Sequence, residues 1–146
     1  MSTTDAQFLD VVIVGAGISG ISAACHLKKK CPETRYRIIE SRGSVGGTWD
    51  LFRYPGIRSD SDMHTFGFKF KPWTRPKAMS DGPSILDYLN ETVDEYAVRD
   101  NIVFGMRVIS ARWLNAESVW ETVACDGHGK ETRYRSRLLF MCSGYY

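Results

Sequence analysis

An α/β fold built on a parallel sheet is what this chain predicts, and three features of its first forty residues predict it. Asp10-Val11-Val12-Ile13-Val14 is a β-branched run suited to a strand buried on both faces. Residues 21–30 read as a helix, with Ile21, Ala24 and Leu27 at helical spacing and three lysines closing the last turn. Cys31-Pro32 then breaks that helix, and residues 35–40, Arg-Tyr-Arg-Ile-Ile-Glu, supply a second strand. Strand, helix, strand within about thirty residues is one βαβ unit, whose strands run parallel and whose crossover is almost always right-handed.

The chain has 146 residues, the size of one domain, and its 43% hydrophobic and 25% charged residues are those of a globular protein. Nineteen basic against seventeen acidic residues leave a net charge of +2, too balanced for a nucleic-acid partner recognised by bulk charge. The longest apolar runs fall far short of the ~20 residues of a membrane span. The four cysteines lack zinc-ligand spacing, so no metal is expected, and they read as reduced thiols of a cytoplasmic protein.

Residues 41–82 carry glycines, prolines and aromatics without a sustained period, and a long irregular connection of this kind is usually functional. Ser80-Asp81-Gly82-Pro83 supplies a cap and an early proline for a helix over residues 83–98, whose Ile85, Leu89, Val93 and Tyr96 share a core-facing stripe. Short strands follow at 102–104, 107–113, 119–125 and 132–137, the last three forming a β-meander in which Trp113 and Trp120 pack across strands. Residues 138–142, Leu-Leu-Phe-Met-Cys, return as a buried closing strand, after a polar arm at residues 1–9 and the βαβ unit at 10–40. The basic aromatic stretch at 69–77 is the one segment suited to NADPH phosphates or a membrane surface, and it reads as a solvated loop. His26, placed on the exposed side of the first helix, His64 and His128 form no catalytic pair.

Gly15, Gly17 and Gly20 match G-x-G-x-x-G between a strand and a helix, the context this motif requires. Gly15 permits a tight turn, Gly17 a close approach to a pyrophosphate, and Gly20 close packing of helix on strand. The phosphates then face free N–H groups at the positive end of the helix. Glu40, twenty residues beyond the last glycine, stands where a carboxylate accepts hydrogen bonds from an adenosine ribose. A 2′-phosphate would meet like charge there, so the site is read as one for FAD or NAD in preference to NADP. Gly46-Gly47-Thr48-Trp49 extends it, with close backbone approach, a donor hydroxyl and a flat wall for an extended cofactor.

These residues, followed by Arg53-Tyr54-Pro55-Gly56-Ile57-Arg58-Ser59-Asp60, resemble the FAD-binding front of class B flavin monooxygenases. The Baeyer–Villiger branch is the nearer match, and the string from Gly47 to Met63 is most similar to its ethionamide-activating group. The closing Phe140-Met141-Cys142-Ser143-Gly144-Tyr145-Tyr146 resembles the family strand that ends beside the flavin. The resemblance runs from Asp10 to Tyr146 and implies the front of a Rossmann-like FAD-binding domain. It implies that Gly15, Gly17, Ser19 and Gly20 hold the FAD pyrophosphate and Glu40 the ribose. Gly47, Thr48, Trp49, Asp50 and Leu51 would line the cofactor's middle and flavin end, and Val108 would offer backbone to the adenine. Asp60 would act catalytically near the isoalloxazine and nicotinamide, with Arg58 and Ser59 on the same NADPH-facing loop. Many Baeyer–Villiger enzymes carry further aromatics where this chain has Asp50 and Leu51, a departure that bears on the substrate pocket.

The implied chemistry is NADPH-dependent oxygen insertion into a ketone, or oxidation of sulfur or nitrogen in a sulfide or amine, with dioxygen activated as a C4a-peroxyflavin. A second glycine motif for NADPH, the family fingerprint and a catalytic arginine do not occur in these residues. The expectation is therefore an incomplete FAD-binding domain from a longer enzyme, inactive alone. The alternatives are a stand-alone or remnant nucleotide-binding module without turnover, and another two-dinucleotide flavin reductase.

Overall fold

In the computed structural model, which describes residues 6–146, the first β-branched run extends into a strand β1 over Gln7–Val14. Part of the expected polar arm is thus strand, and residues 1–5 lie outside the described ones. Helix α1 covers Ile18–Lys30 and begins a turn earlier than the apolar periodicity indicates, so Ser19 and Gly20 lie inside its first turn. Strand β2, Tyr36–Ile39, runs parallel to β1 with Val11 opposite Tyr36 and Val14 opposite Ile39. The predicted βαβ unit is present.

Residues 41–82 contain two single-turn helices, α2 at Thr48–Leu51 and α3 at Met63–Phe66. They are less open than their composition suggests, because Met63, Phe68 and Trp73 are buried. Phe68 stacks on Phe70 at 4.9 Å between ring centroids, and Trp73 meets Tyr88 edge-on at 5.4 Å. Helix α4, Gly82–Glu95, receives them through Tyr88, whose hydroxyl accepts from Phe68 N (2.8 Å) and donates to the Lys71 carbonyl (2.6 Å). Asp81 caps α4 by accepting from Ser84 N at 2.9 Å. The helix stops at Glu95, short of the expected residue 98, because Ala97 takes a φ of +51°, outside helical space.

The basic stretch is a surface loop tied to α4: Lys71 pairs with Glu95, Arg75 with Glu91 at 2.6 Å, and Lys77 with Asp81 at 3.3 Å. Arg75 also lies over the Trp73 ring at 5.2 Å. Lys71, Arg75 and Lys77 are thus paired within the chain, and Lys69 is exposed.

Strands β3 (Ile102–Val103), β4 (Arg107–Leu114), β5 (Val119–Cys125) and β6 (Glu131–Met141) complete one six-stranded sheet of order β3-β2-β1-β6-β5-β4. The segments read as separate strands at 132–137 and 138–142 are one continuous strand. Its first half pairs antiparallel with β5, and the strand from Tyr134 onward pairs parallel with β1. The break in composition marks the point where β5 ends as a neighbour, while the backbone ladder to β1 continues. The end of this strand is not buried as expected: Leu138 and Met141 are 53% and 62% exposed. The main core lies instead over β1 and β2, where Ile21, Ala24 and Cys25 of α1 and Ile85, Leu89 and Val93 of α4 meet Val11, Ile13 and Ile38. The meander is as predicted, with Trp113 opposite Trp120 and the rings edge-on at 5.6 Å.

Among the described residues no helix is long and apolar enough to cross a membrane, no cluster of side chains could hold a metal, and all four cysteines are free. His26 is exposed, as placed, and meets Phe70 edge-on at 5.2 Å.

Tyr88→Phe strips partners from the Phe68 N–H and the Lys71 carbonyl together. Urea unfolding should show a loss of about 1–3 kcal/mol, with the α4 amides nearest Tyr88 exchanging faster; an unchanged midpoint would refute the tie.

Candidate functional site

The loop after β1 is shaped by what it touches. Gly15 has a φ of +101°, and a Cβ there would stand 2.6 Å from the Cys142 carbonyl oxygen, so the turn passes directly against the end of β6. A Cβ on Gly20 would fall 1.9 Å from the Gly15 carbonyl oxygen, which makes glycine obligatory where α1 presses on the loop. Gly17 differs from both. Its φ is −78°, open to any residue, and a Cβ would meet only Gly47, at an ordinary 3.6 Å from its Cα. Nothing in the protein requires a glycine at 17; what it borders is a cleft of about 450 Å³.

Gly17 is also the N-cap of α1 and has no side chain to offer, so the N–H groups of the first turn have no side-chain cap, and Gly17, Ile18 and Ser19 line the cleft. Across the opening, Glu40 is only 5% exposed. Its Oε2 accepts from Ala16 N (2.7 Å), and its Oε1 accepts from Arg42 N (2.8 Å) and from Ser41 Oγ (3.3 Å). This carboxylate therefore fastens the glycine loop to the loop after β2, a role its position in sequence did not reveal. Gly46 closes the arrangement, with its N–H donating to the Ala16 carbonyl at 3.0 Å. Its φ of +124° and its contact with Leu86, where a Cβ would come within 2.4 Å, exclude a side chain.

The cleft gathers most of the residues singled out from sequence: Gly15, Gly17, Ser19, Glu40, Gly47, Thr48, Trp49, Leu51 and Val108 all line it. Gly20 lies beneath it as packing. Asp50 does not line it, a correction to the sequence reading: it is the buried residue of α2, and two arginines and Ser44 occupy its carboxylate. Burial opposes that charge, but hydrogen bonds from Ser44, Arg42 and Arg53 and the Arg42 charge outweigh it and hold the carboxyl below its usual range. Arg58, Ser59 and Asp60 also lie off the cleft wall. The Arg58 backbone forms an isolated antiparallel β-bridge with that of Asp81, Ser59 N donates to the Ser80 carbonyl at 2.9 Å, and Asp60 is exposed. This segment is held against the start of α4 and leaves the cleft wall to its neighbours.

Cys142, Ser143, Gly144 and Tyr146 of the closing segment also line the cleft, and sequence reasoning missed three further parts of the wall: Arg42, Met106 and Arg107. Arg42 carried a usable signal, two residues after Glu40. Met106 and Arg107 carried none, because the pairing of β3 with β2 brings their segment to the cleft from more than sixty residues away, with Met106 N donating to the Glu40 carbonyl at 2.9 Å.

The family of NAD(P)-binding Rossmann-like domains matches residues 13–91. The FAD-containing monooxygenase EthA of Mycobacterium tuberculosis H37Rv is 56% identical over 140 residues, covering 96% of this chain and 28% of the relative. A probable FAD-binding monooxygenase AlmA of Acinetobacter baylyi is 50% identical, with the same coverages. Among solved structures, the open form of cyclohexanone monooxygenase aligns with a TM-score of 0.84 at 31% identity, over 94% of this chain and 27% of that one. Oxidized steroid monooxygenase bound to NADP gives 0.84 and 31%, over 94% and 26%. The chain thus spans little more than a quarter of the length of these relatives.

The two glycines of the loop should separate fold from function. Gly20→Ala should cost more than about 3 kcal/mol or prevent folding, because the clash is with backbone. Gly17→Ala should unfold in urea within about 1 kcal/mol of the parent. Equal losses would contradict the geometry.

Proposed function

We propose, for a chain that belongs to the FAD-containing monooxygenases, that its cleft holds the ADP half of FAD in an NADPH-dependent enzyme several times longer than the chain. The observation that carries this reading is Gly17: a glycine that neither backbone conformation nor neighbouring atoms demand, beside uncapped N–H groups and opposite a buried carboxylate. A nucleotide uses all three, its diphosphate at the glycine and the N–H groups and its ribose at the carboxylate.

The backbone N–H groups at Gly17, Ile18 and Ser19 would hold the diphosphate, with Gly15 and Gly20 keeping the turn and helix close enough to present them. Glu40 Oε1 already accepts from Arg42 N and Ser41 Oγ, whereas Oε2 accepts only from Ala16 N and keeps a lone pair for a ribose hydroxyl. Because the carboxylate is pinned, it meets the ribose without reorganising. Val108 at the start of β4 would offer backbone to the adenine. Gly47, Thr48, Trp49 and Leu51 would line the path toward the flavin, the Trp49 ring being braced edge-on by Phe66 at 5.9 Å. Asp60, with Arg58 and Ser59, would serve the NADPH side from outside this cleft. Bound FAD supplies the redox chemistry: it takes electrons from NADPH and delivers one atom of dioxygen to a ketone, sulfide or amine, the other leaving as water. The chain's own part is to bind, orient and shield that cofactor. Free cysteines agree with a cytoplasmic protein.

The full-length protein should purify yellow, and ketone or sulfide should stimulate its NADPH-driven oxygen uptake; a colourless protein that binds no FAD would overturn the reading. Gly17→Ala should weaken FAD binding at least tenfold, measured by quenching of flavin fluorescence. Asp60→Ala in the same protein should lower product formed per NADPH oxidised, and unchanged coupling would remove Asp60 from the reaction.

A further inference from the structure

Two guanidinium groups share the buried carboxylate of Asp50, and they are not equivalent. Oδ2 accepts from Arg42 Nε (2.9 Å), Arg42 Nη2 (2.6 Å) and Ser44 Oγ (2.7 Å), whereas Oδ1 accepts from Arg53 Nη2 (2.6 Å). The Asp50 carbonyl takes a further bond from each arginine, at 3.4 Å from Arg42 Nη2 and 3.0 Å from Arg53 Nε. Asp50 is only 4% exposed, so this geometry is enforced by packing as well as by charge. Arg42 forms part of the cleft wall, whereas Arg53 lies outside it with its side chain 69% exposed.

The fork of Arg42 is spent on one side. Its Nε and Nη2 face Asp50, and among the described residues its Nη1 makes no hydrogen bond to protein. A guanidinium is planar, so fixing one edge fixes the other. The three side chains carry two positive charges against one negative, leaving a surplus cation, and Arg42 is the one of the two arginines that lines the cleft. The chain around Arg42 is fixed as well: its N–H donates to Glu40, and its carbonyl accepts from Gly105 N at 3.0 Å.

Resting on the nucleotide reading of the cleft, we propose that Asp50 is a positioning residue. By gripping one edge of Arg42, it aims the Nη1 edge at an anionic oxygen of the bound nucleotide's diphosphate. Without that grip a long arginine side chain would sample many rotamers and lose part of its preorganisation. Arg53 neutralises the other oxygen of Asp50 and stabilises the local turn, but contributes nothing to the nucleotide directly.

The contrast between the two arginines supplies the test, in the full-length protein stripped of flavin, with FAD and ADP as probes and thermal unfolding as a control. Arg42→Gln and Asp50→Asn should each weaken both probes by roughly ten- to a hundredfold, the range for a lost charge-assisted hydrogen bond. The double variant should bind no more weakly than Arg42→Gln alone, since both changes remove one interaction. Arg53→Gln should bind both probes within twofold of the parent, even where it lowers the melting temperature. Should Asp50→Asn fail to fold, the comparison of Arg42→Gln with Arg53→Gln decides: equal losses, or none at Arg42, would overturn the proposal. Additive losses in the double variant would overturn it as well. If the parent protein binds neither FAD nor ADP, the cleft assignment itself falls, and the positioning role with it.

Discussion

A buried carboxylate at the end of β2 holds the upper edge of this sheet together. Glu40 accepts the N–H of Ala16 from the loop after β1 and that of Arg42 from the loop after β2, while its own N–H and carbonyl bond to Val103 and Met106. Four chain segments that would otherwise end independently are thereby joined at one residue. A charged acceptor with buried N–H donors contributes roughly 1.5–3 kcal/mol per bond, several times what an exposed ion pair gives. The cleft exists because these ends are fixed apart as well as together: Gly17 and Gly47 nearly touch at one wall, and the carboxylate forms another.

The connection between β2 and α4 shows how an irregular sequence becomes rigid. Its aromatic residues do not repeat at any helical or strand period, yet Phe68, Phe70, Trp73 and Tyr88 form a stacked group whose polar atoms are satisfied by local backbone. Packing fixes one end of the connection and the Asp50 ion pairs fix the other. Composition singled out this stretch, and Thr48 and Trp49 do line the cleft. It could not separate Asp50 from its neighbours. On a single helical turn, adjacent side chains leave in different directions, and only the positions of Arg42 and Arg53 decide which one turns inward.

Sequence patterns served unequally along the chain. Local ones were read well: the βαβ unit, the capped α4 and the tryptophan pair of the meander are each set by neighbours within a few residues or by a short hairpin register. Boundaries set by distant partners were read poorly. The single strand β6 looked like two, since its side-chain pattern changes where β5 stops while its pairing with β1 continues.

Length, charge balance, the β-branched run, the glycine spacing and Glu40 were enough by themselves to determine a nucleotide-binding α/β fold, because each acts through backbone geometry and short-range periodicity. Tertiary structure alone decided that Glu40 is a fastener as well as a ligand candidate, that Asp50 faces the interior, and that Met106 and Arg107 join the cleft wall. Those outcomes depend on which surfaces meet when β3 pairs with β2 and α4 packs against α2. Contacts across such separations leave no periodic trace in the chain that makes them.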